Sequence, residues 1–177
     1  MKLVILDRDG TINHDSDEYI KSPAEWRPIA GSLEAIARLT HAGYRIMVAT
    51  NQSGIARGLF DTSTLVAIHD AMQRAVAQAG GRIDGFFFCP HAADSACDCR
   101  KPKPGMLLDI ARRFNVSLPD VYMVGDASRD IEAAASAGAR PVLVLTGKGK
   151  KTKDEGKLPP GTEIFPDLAA FAKKLAP

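Results

Sequence analysis

The chain has few aromatic residues, few cysteines and almost no net charge. Aromatic residues make up 6% of its 177 residues, and 23 Lys and Arg nearly balance 21 Asp and Glu. Nucleic acid or an anionic membrane would call for a basic surface, and single-stranded nucleic acid for stacking rings as well. No apolar run approaches the ~18–20 residues of a bilayer span, and the apolar start Met1–Asp7 is too short for a secretory signal. We therefore expect a cytoplasmic protein without nucleic-acid or membrane partners.

Hydrophobic residues, by contrast, are plentiful. They make up 45% of the chain, against 25% charged residues. This balance excludes general disorder and provides enough apolar surface for one sizeable core. We expect a single domain over residues 1–177, and a monomer.

Short apolar segments alternate with amphipathic ones. Five segments have the continuous apolar character of strands buried on both faces: Lys2–Leu6, Arg45–Ala49, Gly85–Cys89, Val121–Val124 and Pro141–Leu145. Helical patterns cover Ser32–His41, Ser63–Ala79, a segment from Pro104, Ser128–Gly138 and Asp167–Lys174. The alternation predicts an α/β fold with a doubly wound, mostly parallel, Rossmann-like sheet, whose ligands bind beyond the carboxyl ends of the strands. The lysine- and glycine-rich segment 146–161 predicts a mobile, solvated loop.

Two acids follow the first predicted strand. Asp7 and Asp9 stand two residues apart, so an extended backbone points both side chains to one side. Two carboxylates at one site repel each other unless a cation or a shared proton intervenes. One could act as a nucleophile and the other as a proton donor, or both could hold a hard metal ion. The alternative is an ordinary turn at Asp9–Thr11.

Polar groups follow other predicted strands as well. Thr50–Gly54 offers hydroxyl and amide donors, which either bind phosphate oxygens or cap the next helix. Asp126 ends the fourth strand, and Asp130 follows it. Arg100–Pro104 places cations before a helix N-terminus, which itself favours anions. Because these groups share one edge of the sheet, together they predict a phosphate site.

These residues resemble the four motifs of the haloacid dehalogenase-like phosphatases, in order, from Asp7 to about Leu145. The matching positions are Asp7–Thr11 for the first motif, Thr50 for the second, Lys101 for the third, and Gly125-Asp126 with Asp130 for the fourth. The resemblance implies a Mg²⁺-dependent phosphomonoesterase. Asp7 would attack phosphorus and form an aspartyl-phosphate, while Asp9 would protonate the leaving alcohol and later deprotonate water.

The same resemblance implies a set of site residues. The implied catalytic and phosphate-holding residues are Asp7, Asp9, Thr50, Arg100 and Lys101. The implied Mg²⁺ ligands are Asp7, the backbone carbonyl of Asp9 and Asp126, with Asp130 orienting Asp126 or a water on the metal. The pKa of Asp9 should lie above that of Asp7, because the acid must keep its proton while the nucleophile is ionised.

All three cysteines fall in one short segment together with a histidine. Cys89, His91, Cys97 and Cys99 provide four soft or borderline ligands within residues 89–99. Such a set matches a closed tetrahedral zinc site with no open position, which is structural and not catalytic. The alternative is a group of free thiols. Because the basic pair Arg100-Lys101 follows directly, a bound zinc would fix two cations beside the phosphate site.

The Cys/His segment 89–99 narrows the resemblance to one subgroup of the family, which lacks a cap domain and whose members hydrolyse a heptose bisphosphate or histidinol phosphate. The subgroup lacks a large cap domain, so short loops must select the substrate. Within the subgroup, this sequence is more similar to the heptose-bisphosphate members. That resemblance implies these substrate-binding residues: Asp15, Tyr19, Asn51, Gln52, Ser53, Arg57, Arg100, Lys101 and the backbone around Ala127.

Three other functions remain open at this point. Histidinol phosphate is the main rival substrate, although the basic run Arg100–Lys103 favours a phosphorylated sugar with two phosphates. A polynucleotide 3′-phosphatase would need a basic groove with stacking aromatics, and aromatics are scarce here. A catalytically silent, zinc-stabilised binding module would not need the intact acids Asp7, Asp9 and Asp126.

Overall fold

Six short strands form the centre of the molecule in a computed structural model that describes all 177 residues. Their bounds are β1 Leu3–Leu6, β2 Arg45–Asn51, β3 Gly85–Cys89, β4 Tyr122–Gly125, β5 Arg140–Val144 and β6 Glu163–Phe165. They pair in the order β3-β2-β1-β4-β5-β6, and every neighbouring pair is parallel. The predicted doubly wound α/β fold is confirmed, and its sheet is parallel throughout.

Five α-helices connect the strands, and a sixth follows the last strand. Their bounds are α1 Ser32–His41, α2 Thr62–Gln78, α3 Gly105–Phe114, α4 Ser128–Ala137, α5 Gly149–Asp154 and α6 Leu168–Leu175. The predicted helices lie within one residue or so of these bounds because local signals set their ends. The Asp61 carboxylate, for example, caps α2 by accepting from the N–H of Thr64 at 2.8 Å, and Gly138 ends α4 with a φ of 77°. None of these helices is both long and apolar enough to cross a bilayer.

The sheet buries side chains on both faces. In β1, Val4 and Leu6 pack in the larger core cluster with α1, α2 and α6, whereas Leu3 and Ile5 pack in the smaller one with α3. All four side chains are essentially inaccessible to solvent, and each such burial stabilises the fold by about 1.5–3 kcal/mol. This two-sided burial explains why the strands read as continuous apolar runs.

The segment 146–161 differs from the solvated loop expected from its composition. It carries α5, and its first part packs against the carboxyl ends of β1 and β4. The Thr146 hydroxyl donates to the carbonyl oxygen of Gly10 at 2.6 Å, and the Thr152 hydroxyl donates to the carbonyl oxygen of Asp126 at 2.9 Å. The expectation is therefore wrong for this part, because composition does not reveal backbone partners that lie far away in the sequence.

The strand order reverses at the centre of the sheet, between β1 and β4. Such a reversal opens a crevice at the carboxyl ends of the two strands. Asp7 follows β1 and Asp126 follows β4, and the N–H of Asp7 donates to the carbonyl oxygen of Val124 at 2.8 Å. The fold itself therefore brings these two acids together.

Candidate active site

Three carboxylates meet at the crevice. One oxygen each of Asp7, Asp126 and Asp130 lies within 4.8 Å of the others, and all three residues are buried. Asp130 is already engaged, because it accepts from the N–H of Ala127 at 3.0 Å and forms an ion pair with Lys101 at 2.7 Å. In contrast, Asp7 Oδ2 and Asp126 Oδ1 are buried without a hydrogen-bond partner. Unpartnered carboxylate oxygens on two neighbouring buried acids suit a hard divalent cation.

The crowding of these acids perturbs their titration. Burial raises the pKa of Asp7 to about 6, with the Asp130 carboxylate adding to the effect. Burial raises the pKa of Asp126 to about 8, with the Asp7 carboxylate adding to the effect. Without a cation the site therefore favours bound protons, and a divalent cation would replace them.

Glycine backbone lies against Asp126. A Cβ on Gly10 would lie 2.1 Å from Asp126 Oδ2, and one on Gly147 would lie 2.2 Å from the same atom. Gly10 also has a φ of 84°, a conformation that other residues adopt with strain. The N–H of Lys148 then donates to Asp126 Oδ2 at 2.7 Å. The Asp126 carboxylate is thus fixed from one side, with its other oxygen left free.

Lys101 is a buried cation beside Asp7. Its ammonium group lies 2.8 Å from Asp7 Oδ1 and 2.7 Å from the carbonyl oxygen of Ala49, and it also pairs with Asp130. Burial alone would lower the pKa of Lys101, but the Asp130 and Asp7 carboxylates outweigh burial and raise this pKa above its usual value. Asn51 holds the backbone of Lys101 through two reciprocal hydrogen bonds of 3.0 Å. In this geometry Lys101 contacts the Asp7 carboxylate directly, whereas the sequence led us to expect a contact with phosphate.

Asp9 differs from the expectation for a proton donor. Burial alone would raise the pKa of Asp9. The Arg8 guanidinium and the hydrogen bonds from Asn13, Arg8 and Gln52 outweigh burial and lower the pKa of Asp9 below its usual value. The Asn13 and Gln52 amides each donate to Asp9 at 3.0 Å. The expected order of the two pKa values is therefore wrong for the metal-free site. The pKa of Asp7 lies higher because burial and the Asp130 carboxylate outweigh Lys101 there, whereas Arg8 and the hydrogen bonds outweigh burial at Asp9.

A polar cavity of about 240 Å³ opens beside Asp9. Its lining residues are Asp9, Asp15, Ser16, Asp17, Tyr19, Ile20, Asn51, Gln52, Ser53, Arg100, Arg129 and Lys148. Most of the expected substrate-binding residues are in this set. Thr50 lies just beneath, where its buried hydroxyl accepts from the Gln52 amide at 2.9 Å.

Three expected substrate-binding residues are not in the lining: Lys101, which is buried beside Asp7, Arg57 and Ala127. The Arg57 guanidinium stacks over the ring of Tyr19, 5.8 Å from its centroid, and Tyr19 does line the cavity. The N–H of Ala127 is not free for a substrate, because it donates to Asp130.

The structure also adds residues that the sequence reading did not single out. Arg129, in the first turn of α4, lines the cavity, and its buried Nε has no partner. Lys148 reaches across the cavity mouth to within 3.3 Å of Asp15 Oδ2. Arg8 and His69 lie fully buried behind Asp9. Of these, Arg8 and Arg129 could have been suspected, since each adjoins a motif acid.

The four zinc-ligand candidates converge. The sulfur atoms of Cys89 and Cys97 lie 3.8 Å apart, and His91 Nδ1 lies 3.4 Å from the sulfur of Cys89 and 3.3 Å from that of Cys99. A tetrahedral zinc with Zn–S of about 2.3 Å and Zn–N of about 2.0 Å requires ligand separations of about 3.8 and 3.5 Å. The donor set and its spacing therefore fit zinc.

The fold and this acidic site define the class of haloacid dehalogenase-like hydrolases. A family model described as HAD-hydrolase-like matches residues 98–171. That stretch includes Lys101, Asp126 and Asp130.

Close relatives extend the match over the whole chain. The D-glycero-beta-D-manno-heptose-1,7-bisphosphate 7-phosphatase of Bordetella bronchiseptica is 60% identical over 175 residues, which cover 99% of this chain and 98% of the relative. The protein of the same name from Pseudomonas putida is 55% identical over 175 residues, covering 99% of each. A crystal structure of D,D-heptose 1,7-bisphosphate phosphatase from B. bronchiseptica, complexed with magnesium and phosphate, superimposes with a TM-score of 0.97 and covers 99% of this chain and 98% of that one at 60% identity. The chain belongs to the haloacid dehalogenase-like family that these heptose-bisphosphate phosphatases represent.

Proposed function

We propose that the protein is a Mg²⁺-dependent phosphomonoesterase that removes the 7-phosphate of D-glycero-D-manno-heptose 1,7-bisphosphate. The observation that carries the chemistry is the environment of Asp7. Its Oδ1 contacts the Lys101 ammonium, while its Oδ2 is buried without a hydrogen-bond partner, as is Oδ1 of the neighbouring Asp126. A carboxylate in this setting can attack phosphorus while its other oxygen binds a cation.

In the first step, Asp7 Oδ1 forms a bond to phosphorus, and the bond from phosphorus to the sugar oxygen breaks. Lys101 keeps the attacking carboxylate oriented and offsets negative charge in the transition state. Asp9 gives its proton to the departing oxygen, so the sugar leaves as a neutral alcohol. The incoming phosphate dianion raises the pKa of Asp9 in the complex, because a nearby anion disfavours a second one.

In the second step, a water molecule attacks the aspartyl-phosphate. Asp9, now a carboxylate, takes one proton from that water, and the bond from phosphorus to Asp7 breaks. Inorganic phosphate leaves, and Asp7 returns to its ionised form. The lowered pKa of Asp9 in the free site suits this second role.

The cation fits the residues present. Asp7 Oδ2, Asp126 Oδ1 and the backbone carbonyl of Asp9 would hold Mg²⁺, a set made only of oxygen atoms. Bound there, Mg²⁺ would reduce the repulsion between the attacking carboxylate and the phosphate. Asp130 would act indirectly, by holding Lys101 and the start of α4.

The cavity supports a substrate with a second phosphate. Arg100, Arg129 and Lys148 all line it, so one anion can be held at the acids and another at these cations. Histidinol phosphate, with a cationic amine and one phosphate, uses this cationic rim less well. The names of the relatives favour the heptose bisphosphate.

We also propose a structural zinc ion held by Cys89, His91, Cys97 and Cys99. All four positions of a tetrahedral site would be filled by protein, which leaves none for catalysis. The loop is linked to the active-site cations, because Arg100 donates to the His91 carbonyl oxygen at 3.2 Å and Lys103 donates to that of Cys97 at 2.7 Å. Zinc would thus fix the segment that carries Arg100 and Lys101.

The substrate is tested by comparing kcat/KM with Mg²⁺ for heptose 1,7-bisphosphate, fructose 1,6-bisphosphate and histidinol phosphate. We expect the heptose substrate to be preferred over histidinol phosphate by at least about tenfold, since each phosphate contact with a cation contributes about 1.5–3 kcal/mol. Fructose 1,6-bisphosphate also carries two phosphates, so a preference over it measures the contacts with the sugar. Comparable values for all three would leave only a general phosphatase. A preference for histidinol phosphate would reverse the substrate assignment.

A further inference from the structure

Arg8 is a fully buried arginine between the two catalytic acids in the sequence. Its Nε donates to Asp9 Oδ1 at 3.0 Å and its Nη2 donates to Asp9 Oδ2 at 3.2 Å. This is a bidentate contact, which fixes the plane of a carboxylate as well as its position. A point charge such as that of lysine could not do both.

A second buried residue stands behind this arginine. Arg8 Nη1 lies 3.4 Å from Nε2 of His69, which is on α2 and is buried. The His69 ring stacks on the Phe86 ring of β3, with centroids 4.3 Å apart and planes at 12°. Burial, helped by the Arg8 charge, lowers the pKa of His69 to about 3, so its ring is neutral and can accept a hydrogen bond. Arg8 is therefore supported from the sheet and from a helix.

A buried guanidinium is expensive unless its hydrogens are used. Here Asp9 takes one side of the group and His69 the other, while Asn13 and Gln52 complete the hydrogen bonds to Asp9. This arrangement leaves the Asp9 carboxylate few orientations. Its side chain is 18% exposed, and it lines the cavity where the leaving group would lie.

We propose that Arg8, backed by His69, is a positioning residue that holds the Asp9 carboxylate in line with the leaving oxygen of the substrate. This inference rests on the proposed phosphatase function, in which Asp9 transfers the proton. Arg8 touches no reacting atom. Its effect is exerted through the orientation of Asp9.

Leaving groups of different acidity separate this role from a merely structural one. An alkyl phosphate needs the proton from Asp9 when its ester bond breaks, whereas p-nitrophenyl phosphate has a stable leaving anion and needs little help. The ratio kcat/KM covers the reaction only up to formation of the aspartyl-phosphate. A misplaced Asp9 should therefore lower kcat/KM for the alkyl ester selectively.

The test uses Arg8→Lys, which keeps the charge but loses the bidentate contact. Both esters are assayed with Mg²⁺, after circular dichroism has confirmed folding. We expect kcat/KM for heptose 1,7-bisphosphate to fall about 10–100-fold, part of the 10²–10⁴ that a general acid supplies, and that for the aryl ester to fall less than about threefold. For the aryl ester kcat should fall more than kcat/KM, because the same carboxylate activates water in the second step.

A second pair of variants keeps the inference testable if Arg8→Lys does not fold. His69→Leu removes the acceptor behind Arg8, and His69→Gln retains one. We expect the selective loss on the alkyl ester with His69→Leu and a clear recovery with His69→Gln.

Equal losses on both esters, or equal effects of the two His69 variants, would refute the Arg8 inference and leave the phosphatase proposal standing. A wild-type protein that hydrolyses neither ester would refute both.

Discussion

The replacement Asp126→Asn tests whether the site is built for a cation at the expense of stability. It removes one of the three carboxylates that meet behind the cavity. The amide has the same shape, and its oxygen can still accept from the N–H of Lys148, which lies 2.7 Å from Asp126 Oδ2. The main change is therefore the loss of one negative charge beside Asp7.

Two routes give the size of the effect. Two unit charges within 4.8 Å of each other repel by about 3 kcal/mol at an effective dielectric constant of about 20. Independently, the pKa of Asp126 is raised from 3.8 to about 8 by burial and then by the Asp7 carboxylate, which sets an upper bound of about 6 kcal/mol for removing its charge. We therefore expect the magnesium-free variant at pH 8 to unfold with a free energy up to about 3 kcal/mol larger than wild type, a rise in Tm of about 6–12 °C for a domain of this size.

The pH dependence of unfolding provides a separate check on the direction of this stability change. The pKa of Asp126 is raised from 3.8 to about 8, so between these values the folded wild type binds more protons than the unfolded chain. Its stability therefore falls as pH rises through this window, and the advantage of the variant should shrink towards pH 5. The assay is thermal and urea unfolding in magnesium-free buffer that retains zinc, followed by addition of Mg²⁺.

Added Mg²⁺ should stabilise the wild type and barely affect the variant, because the cation binds only the folded site. A variant less stable than wild type at pH 8, or an advantage that does not change with pH, would refute this reasoning.

Three further predictions follow from single residues. Asp7→Asn should reduce turnover by at least about 1000-fold, since an uncharged amide is a far weaker nucleophile than a carboxylate, and near-normal activity would remove Asp7 as the nucleophile. Purified protein that has met no chelator should contain one zinc per chain by metal analysis, and Cys99→Ser should lose it; a zinc-free wild type would contradict the metal site. Gly10→Ala should destabilise the protein and weaken Mg²⁺ binding, because its Cβ would lie 2.1 Å from Asp126 Oδ2; Gly43→Ala, with a similar φ of 83° and open space around it, should cost only the backbone strain of about 1 kcal/mol. Equal effects of the two alanine variants on Mg²⁺ binding would show that the contact with Asp126 is unimportant.

Much of the fold was predictable because its signals are local. The strand Gly85–Cys89 and the helix Ser32–His41 have the bounds that their apolar patterns predict. The segment 146–161 was the exception. Its short helix and its contacts with Gly10 and Asp126 depend on partners distant in the chain, so its lysine-rich composition indicated only a solvated loop.

The acids and the zinc-ligand candidates were likewise evident from the sequence, since each side chain type and its spacing restrict the chemistry. The relative pKa values of Asp7 and Asp9 were not. They depend on burial and on which charges stand nearby in space: Asp130 beside Asp7, and Arg8 beside Asp9. Adjacent positions in the chain do not reveal these neighbours.

The sequence by itself determined the α/β alternation, the motif acids, the Cys/His cluster and thereby a phosphate-handling class of protein. Only the tertiary structure decided that Lys101 contacts Asp7, that Arg57 stacks on Tyr19, and that Arg129 lines the cavity. The physical reason is that residue type fixes what a side chain can do, whereas its charge state and partners depend on the distances and burial that the packed sheet and its loops impose.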